Sequence, residues 1–231
     1  MPSRGPIEAV LFDFDGTLTL PGAIPFDHIK RLIHCPPAIP ILEYIESLAL
    51  TSPAKAREAM AILEEHELIA ACRSRPRPEA EILLPALAAR GLALGILTRN
   101  RRASLTEALH HFHNITFDLF AVVLTREDVI RPKPDPEGVL QAASRLSVPP
   151  PRLLVVGDYI FDIQAGQAAG ALTAFLDDGT ATKSPFPPAD FMIQSLTELL
   201  PIILGREPDA RPSNVPTRDD EVPPRAADRM F

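Results

Sequence analysis

An α/β fold built on a doubly wound parallel sheet, with a small all-helical insert, is the architecture this chain predicts, and three observations predict it. An apolar run, Ala9-Val10-Leu11-Phe12, ends abruptly in Asp13 and Asp15 with Gly16 behind them, as a buried parallel strand ends in a turn. From residue 79 onward, short apolar strands alternate with helical patterns. Between these regions, residues 24–77 yield helices and no convincing strand.

Taken in order, the first strand and its turn occupy residues 8–19. Helical patterns follow at 25–34, 39–50 and 53–72, the last rich in Ala and Glu and opened by Thr51-Ser52-Pro53, with proline in the first turn. Arg73-Ser74-Arg75-Pro76-Arg77-Pro78 reads as a basic, proline-punctuated hinge; its arginines either solvate that hinge or meet a substrate anion on closure. A helix over 79–90 stops at Gly91, and 92–97 is the second strand. Helix 102–112, strand 119–124, helix 136–146, strand 153–156, helix 163–169 with Gly170 behind it, and strand 172–176 continue the alternation. A sixth strand at 191–193 and a helix at 196–204 complete it. The expected division is a core of 1–20 with 79–204, an insert of 21–78, and a disordered tail, 205–231, rich in Pro, Asp and Arg. No internal repeat is evident.

Composition narrows the function classes. The chain has 231 residues, 46% of them hydrophobic, enough for one sizeable core and a small insert. Its net charge of −7 supplies no general field for gathering nucleic acid or an anionic membrane, so neither is an expected partner. Two cysteines, Cys35 and Cys72, are too few for a disulfide scaffold and are expected in or near the core of a cytoplasmic protein. No apolar run approaches a membrane span, and no signal-peptide core precedes the first strand. The 26 prolines fall mainly between elements and read as punctuation. Oligomeric state is left open.

The chemistry concentrates at strand ends. Two carboxylates one residue apart repel each other and resist desolvation, so they persist where a divalent cation or a phosphate-binding task compensates them. Gly16 can swing Asp15 away from Asp13. One carboxylate can then attack phosphorus to form an acyl phosphate, while the other protonates the leaving oxygen and afterwards activates water. The second strand ends in Thr98-Arg99-Asn100, which offers a hydroxyl, backbone N–H groups and an amide. Alone, that threonine reads more readily as a helix cap than as a phosphate ligand. After the third strand, Lys133 stands between Pro132 and Pro134, and the fourth strand runs into Gly157-Asp158-Tyr159-Ile160-Phe161-Asp162.

In this order, Asp13-Phe14-Asp15-Gly16-Thr17-Leu18, Thr98, Lys133 and the Asp158–Asp162 segment resemble the four motifs of the haloacid dehalogenase superfamily of phosphohydrolases. The resemblance covers about residues 7–200. It implies a Rossmann-like core and a helical cap between the first and second motifs, the arrangement of the phosphoglycolate phosphatase and beta-phosphoglucomutase subgroup. It further implies that Asp13 is the nucleophile, Asp15 the acid and base, and Thr98 a hydrogen-bond donor to the phosphoryl group. Lys133 would offset charge between Asp13 and phosphate. Arg99 and Asn100 join Thr98 as candidate phosphate-binding residues. Mg²⁺ is the implied cofactor, held by Asp13, the Asp15 carbonyl and Asp158, with Asp162 supporting through water or Lys133. Asp15 argues against a dehalogenase. The chain departs from many phosphoglycolate phosphatase relatives at Thr19-Leu20-Pro21-Gly22, where they carry an Asp-Ser pair.

The expected function is hydrolysis of a small phosphorylated metabolite. A phosphomutase and a noncatalytic metabolite-binding protein are the alternatives. His110, His111 and His113 point in different directions on a helix and are expected at its end rather than on a metal, and His66 is expected to be solvated.

Overall fold

A computed structural model describes residues 6–179 and 188–205 of the chain. Six strands form one sheet, β1 (Ala9–Phe12), β2 (Ala93–Leu97), β3 (Val122–Leu124), β4 (Leu153–Gly157), β5 (Leu172–Leu176) and β6 (Phe191–Ile193). All neighbours are parallel, in the order β3-β2-β1-β4-β5-β6. Strand β1 is central, and all four of its side chains are fully buried.

Burial on both sides follows from the alternation of side chains along a strand. Val10 and Phe12 join Leu94, Ile96, Leu154 and Val156 in a core beneath α4 (Pro78–Ala88), α5 (Arg102–Leu109) and α8 (Leu199–Ile203). Ala9 and Leu11 face the opposite way, toward α6 (Glu137–Leu146) and α7 (Ile160–Ala168). Each such large apolar side chain contributes about 1.5–3 kcal/mol when fully buried. This two-sided packing explains why the strands are short, continuous apolar runs.

The insert consists of α1 (Phe26–Leu32), α2 (Ile41–Thr51) and α3 (Pro53–Ala71), and it has its own apolar cluster, including Ile29, Ile45 and Leu63. Pro53 occupies the first turn of α3, where a missing N–H costs little. The two linkers to the insert pair with each other. Leu20 N–H donates to the Arg75 carbonyl and Arg77 N–H to the Leu18 carbonyl, each at 2.8 Å, around an antiparallel bridge between Thr19 and Pro76.

Several boundaries differ from expectation. β3 starts at Val122 because Phe117–Leu119 forms a 3₁₀ turn, and the last helical segment divides into a 3₁₀ turn, Leu196–Glu198, followed by α8. α7 begins at Ile160, three residues earlier than its apolar pattern suggests, because Asp162 accepts the Tyr159 N–H at its start. α5 ends at Leu109, so the His110–His113 stretch lies beyond the helix. Cys35 is buried, but Cys72 is exposed at the end of α3, contrary to its expected place near the core. His66, expected to be solvated, is half-buried: its Nδ1 donates to the Ile62 carbonyl at 2.9 Å and its ring packs at a tilt against His28. Among the described residues, no helix is long and apolar enough to cross a membrane. The tail beyond Gly205, expected to be disordered, lies outside the described residues.

Candidate active site

Adjacency of β3, β2, β1 and β4 brings four loops to one pole of the sheet. In parallel α/β sheets this pole, beyond the strands' carboxyl ends, is where ligands bind. Asp13 follows β1 directly, and its N–H donates to the Val156 carbonyl at 2.8 Å. Lys133, from the loop after β3, is only 4% exposed. Its ammonium donates to Asp13 Oδ1 at 2.7 Å, Asp162 Oδ1 at 2.6 Å and the Leu97 carbonyl at 2.7 Å. Three donors meet three acceptors, which fixes the group in place.

The loop after β1 turns sharply at Gly16, whose φ is +81°. A Cβ there would lie 2.3 Å from Asp158 Oδ2, so the turn closes against that carboxylate. The next residue, Thr17, donates its hydroxyl to Asp158 Oδ1 at 2.8 Å. Gly157 is equally constrained, because a Cβ on it would fall 2.2 Å from Asp162 Cγ.

Thr98 is buried at the end of β2, and its hydroxyl oxygen accepts the Asn100 N–H at 3.1 Å. The Asn100 amide donates to Asp15 Oδ2 at 2.5 Å. Arg99 points toward the insert: its Nη2 meets both Glu43 carboxylate oxygens, at 2.7 and 2.9 Å, and its guanidinium lies 4.9 Å from the Phe161 ring centroid. Thus Asp13, Asp15, Lys133, Asp158, Asp162, Thr98, Arg99 and Asn100 all line one cavity of about 320 Å³. Its far wall comes from the insert and includes Ile24, Phe26, Lys30, Leu42 and Leu63.

Burial and mutual repulsion dominate the electrostatics. Burial, followed by the charges of Asp13, Glu67 and Asp158, pushes the Asp15 carboxyl up to about 8. Burial and the charges of Asp13 and Asp162 push Asp158 up to about 7. Burial raises Asp162 to about 6 even though Lys133 pulls it down. For Lys133 itself burial favours the neutral amine, but Asp13 and Asp162 outweigh it and hold the ammonium above its ordinary range.

This excess of negative charge is what a divalent cation relieves. Asp13, Asp158 and Asp162 can each offer a carboxylate oxygen with all three atoms within 4.8 Å of one another, the one such acidic or His/Cys group among the described residues. An all-oxygen donor set of this kind fits Mg²⁺, which prefers hard oxygen ligands and keeps several waters.

Contacts that the linear order did not announce join the insert to the strand-end loops. Arg101 meets Glu64 at 2.8 Å. Arg126 meets Glu67 through two bonds, at 2.8 and 3.0 Å, with both side chains largely buried. Glu67 lines the cavity, and burial raises its pKa despite Arg126. Arg77, read as a hinge residue, is buried and donates to the carbonyls of Gly16 and Thr17. Thr17 could have been found from its place beside Asp15. Glu67 carried no such signal, because its role depends on α3 folding over the sheet.

Comparison with known proteins follows the same lines. A family model described as haloacid dehalogenase-like hydrolase matches residues 7–170. An uncharacterised hydrolase of Saccharomyces cerevisiae is 31% identical over 202 residues, covering 85% of this chain and 91% of the relative. The N-acetylmuramic acid 6-phosphate phosphatase of Pseudomonas aeruginosa is 29% identical over 216 residues, covering 85% and 95% respectively. The crystal structure of a Bacteroides fragilis protein described as a putative haloacid dehalogenase-like hydrolase superposes with a TM-score of 0.68 at 26% identity, over 83% of this chain and 99% of that one.

Proposed function

This chain belongs to the haloacid dehalogenase-like hydrolases, and we propose that it is a cytoplasmic, Mg²⁺-dependent phosphatase acting on a small phosphorylated metabolite through an aspartyl phosphate. The observation that carries this reading is the convergence of Asp13, Asp15, Lys133 and Asp158 on one cavity.

Asp13 is the nucleophile. Lys133 occupies its Oδ1 and leaves Oδ2 to bond phosphorus, while the ammonium offsets repulsion between carboxylate and phosphate. Asp15 is held by Asn100, and its burial among other acids favours the protonated form that the leaving oxygen needs. As the P–O bond to the leaving group breaks, that proton moves to the departing oxygen. Asp15, now ionised, takes a proton from water as the water oxygen attacks phosphorus, and the bond to Asp13 breaks to release phosphate. Thr98 and neighbouring N–H groups hold the phosphoryl oxygens, with Arg99 and Asn100 at the same rim. Asp13, the Asp15 carbonyl and Asp158 would hold Mg²⁺, supported by Asp162, and the cation would supply charge stabilisation for the phosphoryl group.

The insert serves as a cap over the cavity. Its apolar residues exclude water and favour a compact leaving group. The similarity to the N-acetylmuramic acid 6-phosphate phosphatase and, over about half the chain, to the phosphoglycolate phosphatase of Escherichia coli supports small phosphomonoesters as the substrate class. The test is phosphate release from a panel of such esters, with Mg²⁺ or EDTA, for the parent and Asp13→Asn. Mg²⁺-dependent release that disappears in the variant supports the reading; release that survives Asp13→Asn rejects the mechanism.

A further inference from the structure

Arg77 lies in the second linker, 6% exposed, and does none of the chemistry described above. A buried guanidinium needs partners for its N–H groups. Nε donates to the Thr17 carbonyl at 3.1 Å and Nη2 to the Gly16 carbonyl at 2.7 Å. The same Nη2 pairs with Asp178 Oδ2 at 2.5 Å, and Asp178 follows β5 on a different loop. The backbone N–H of Arg77 adds the bond to the Leu18 carbonyl. Three consecutive residues immediately after Asp15 are therefore gripped by one side chain and its own backbone.

That grip reaches the acids because the loop has no slack. Gly16 closes against Asp158, and the Thr17 hydroxyl is bonded to Asp158 Oδ1. A displacement of the Gly16 and Thr17 carbonyls would move Asp15 on one side and Asp158 on the other.

We propose that Arg77 is a positioning residue for phosphoryl transfer, clamping the Gly16 and Thr17 carbonyls against Asp178 so that Asp15 and, through Thr17, Asp158 keep their working orientation. The proposal rests on the phosphatase reading. A planar fork can serve two carbonyls and a carboxylate together, whereas an ammonium on a flexible stem is a point charge, so lysine replaces the charge but not the clamp.

The experiment compares the parent with Arg77→Lys, Arg77→Met and Asp178→Asn, each well below its own unfolding midpoint. It reads hydrolysis of p-nitrophenyl phosphate with Mg²⁺ and amide hydrogen exchange over residues 14–20. The expected result for Arg77→Met is a kcat lower by about a hundredfold, the scale of loss from a small misplacement of reacting groups, with KM little changed. Exchange over 14–20 should quicken while the central strands stay protected, and Arg77→Lys should fall between the two. A variant with a lowered midpoint but parent-like kcat overturns the proposal, as does unchanged exchange over 14–20. If Arg77→Met does not fold, Arg77→Lys and Asp178→Asn decide by the same readouts. If the parent hydrolyses no phosphomonoester, the phosphatase reading fails, and the clamp stands or falls on loop exchange alone.

Discussion

Replacing Lys133 with methionine removes the one ammonium that separates Asp13 from Asp162 while keeping a side chain of similar length. Both carboxylates lose a bond, at 2.7 and 2.6 Å, and the Leu97 carbonyl loses its 2.7 Å donor. Breaking a buried ion pair from one side costs about 3–5 kcal/mol, because the remaining charge is uncompensated. The loss depends on pH in a direction the site dictates. In the parent, Lys133 holds Asp162 down to about 6 against its burial. Without that ammonium, the folded variant retains a proton on Asp162 at pH values where the parent has released it. Stability changes with pH as the protons bound by the unfolded state minus those bound by the folded state, so an extra proton on the folded variant makes its stability fall faster as pH rises. At about 1.4 kcal/mol per pH unit for one proton, and with the parent still half-protonated at pH 6, the destabilisation should grow by up to about 2 kcal/mol between pH 6 and pH 8. Urea unfolding of both proteins in EDTA, at pH 6 and pH 8, measures this directly. A total loss below about 1 kcal/mol, or a loss that shrinks toward pH 8, would refute the assignment of Lys133 as the charge that holds the cluster together.

Other outcomes follow from the same geometry. Asp15→Asn should lower kcat by about 10²–10⁴-fold, and the deficit in the first step should be larger for an alkyl phosphate than for p-nitrophenyl phosphate, whose leaving group needs no proton; burst kinetics distinguish the two. Mg²⁺ should raise the melting temperature more at pH 8 than at pH 5.5. The acids near 6, 7 and 8 keep protons when folded that the unfolded chain has lost, so metal-free stability declines as pH climbs through those values and the cation restores it; thermal scans with Mg²⁺ and with EDTA check the sign. Gly16→Ala should impair Mg²⁺ binding, read by calorimetry, because its Cβ would collide with Asp158 in a left-handed turn.

The sheet was legible because two-sided burial writes itself as uninterrupted apolar runs, as in Ala9–Phe12 and Leu153–Gly157. The eight residues singled out at strand ends share a cavity for the same reason, since parallel strands deliver their final residues to one edge. What linear order withheld was pairing between elements. Arg126 and Glu67 are 59 residues apart, and nothing in an Ala- and Glu-rich helix marks one glutamate as facing a distant arginine. Arg99 lines the cavity beside Thr98, and its pairing with Glu43 depends on where α2 settles. Short-range capping was also hidden at α7, where Asp162 serves both the Tyr159 N–H and Lys133.

The pairing of the two linkers has a consequence beyond this chain's own chemistry. Residues 18–20 and 75–77 are already stitched together, so departure from the sheet and return to it happen at a single seam. The helices beyond that seam carry an apolar cluster of their own. Whatever occupies that seam must also partner the strand-end loops, because Arg99, Arg101 and Arg126 meet Glu43, Glu64 and Glu67 of the insert. A change of substrate made in the insert therefore leaves the strands untouched only where those three carboxylates keep their places.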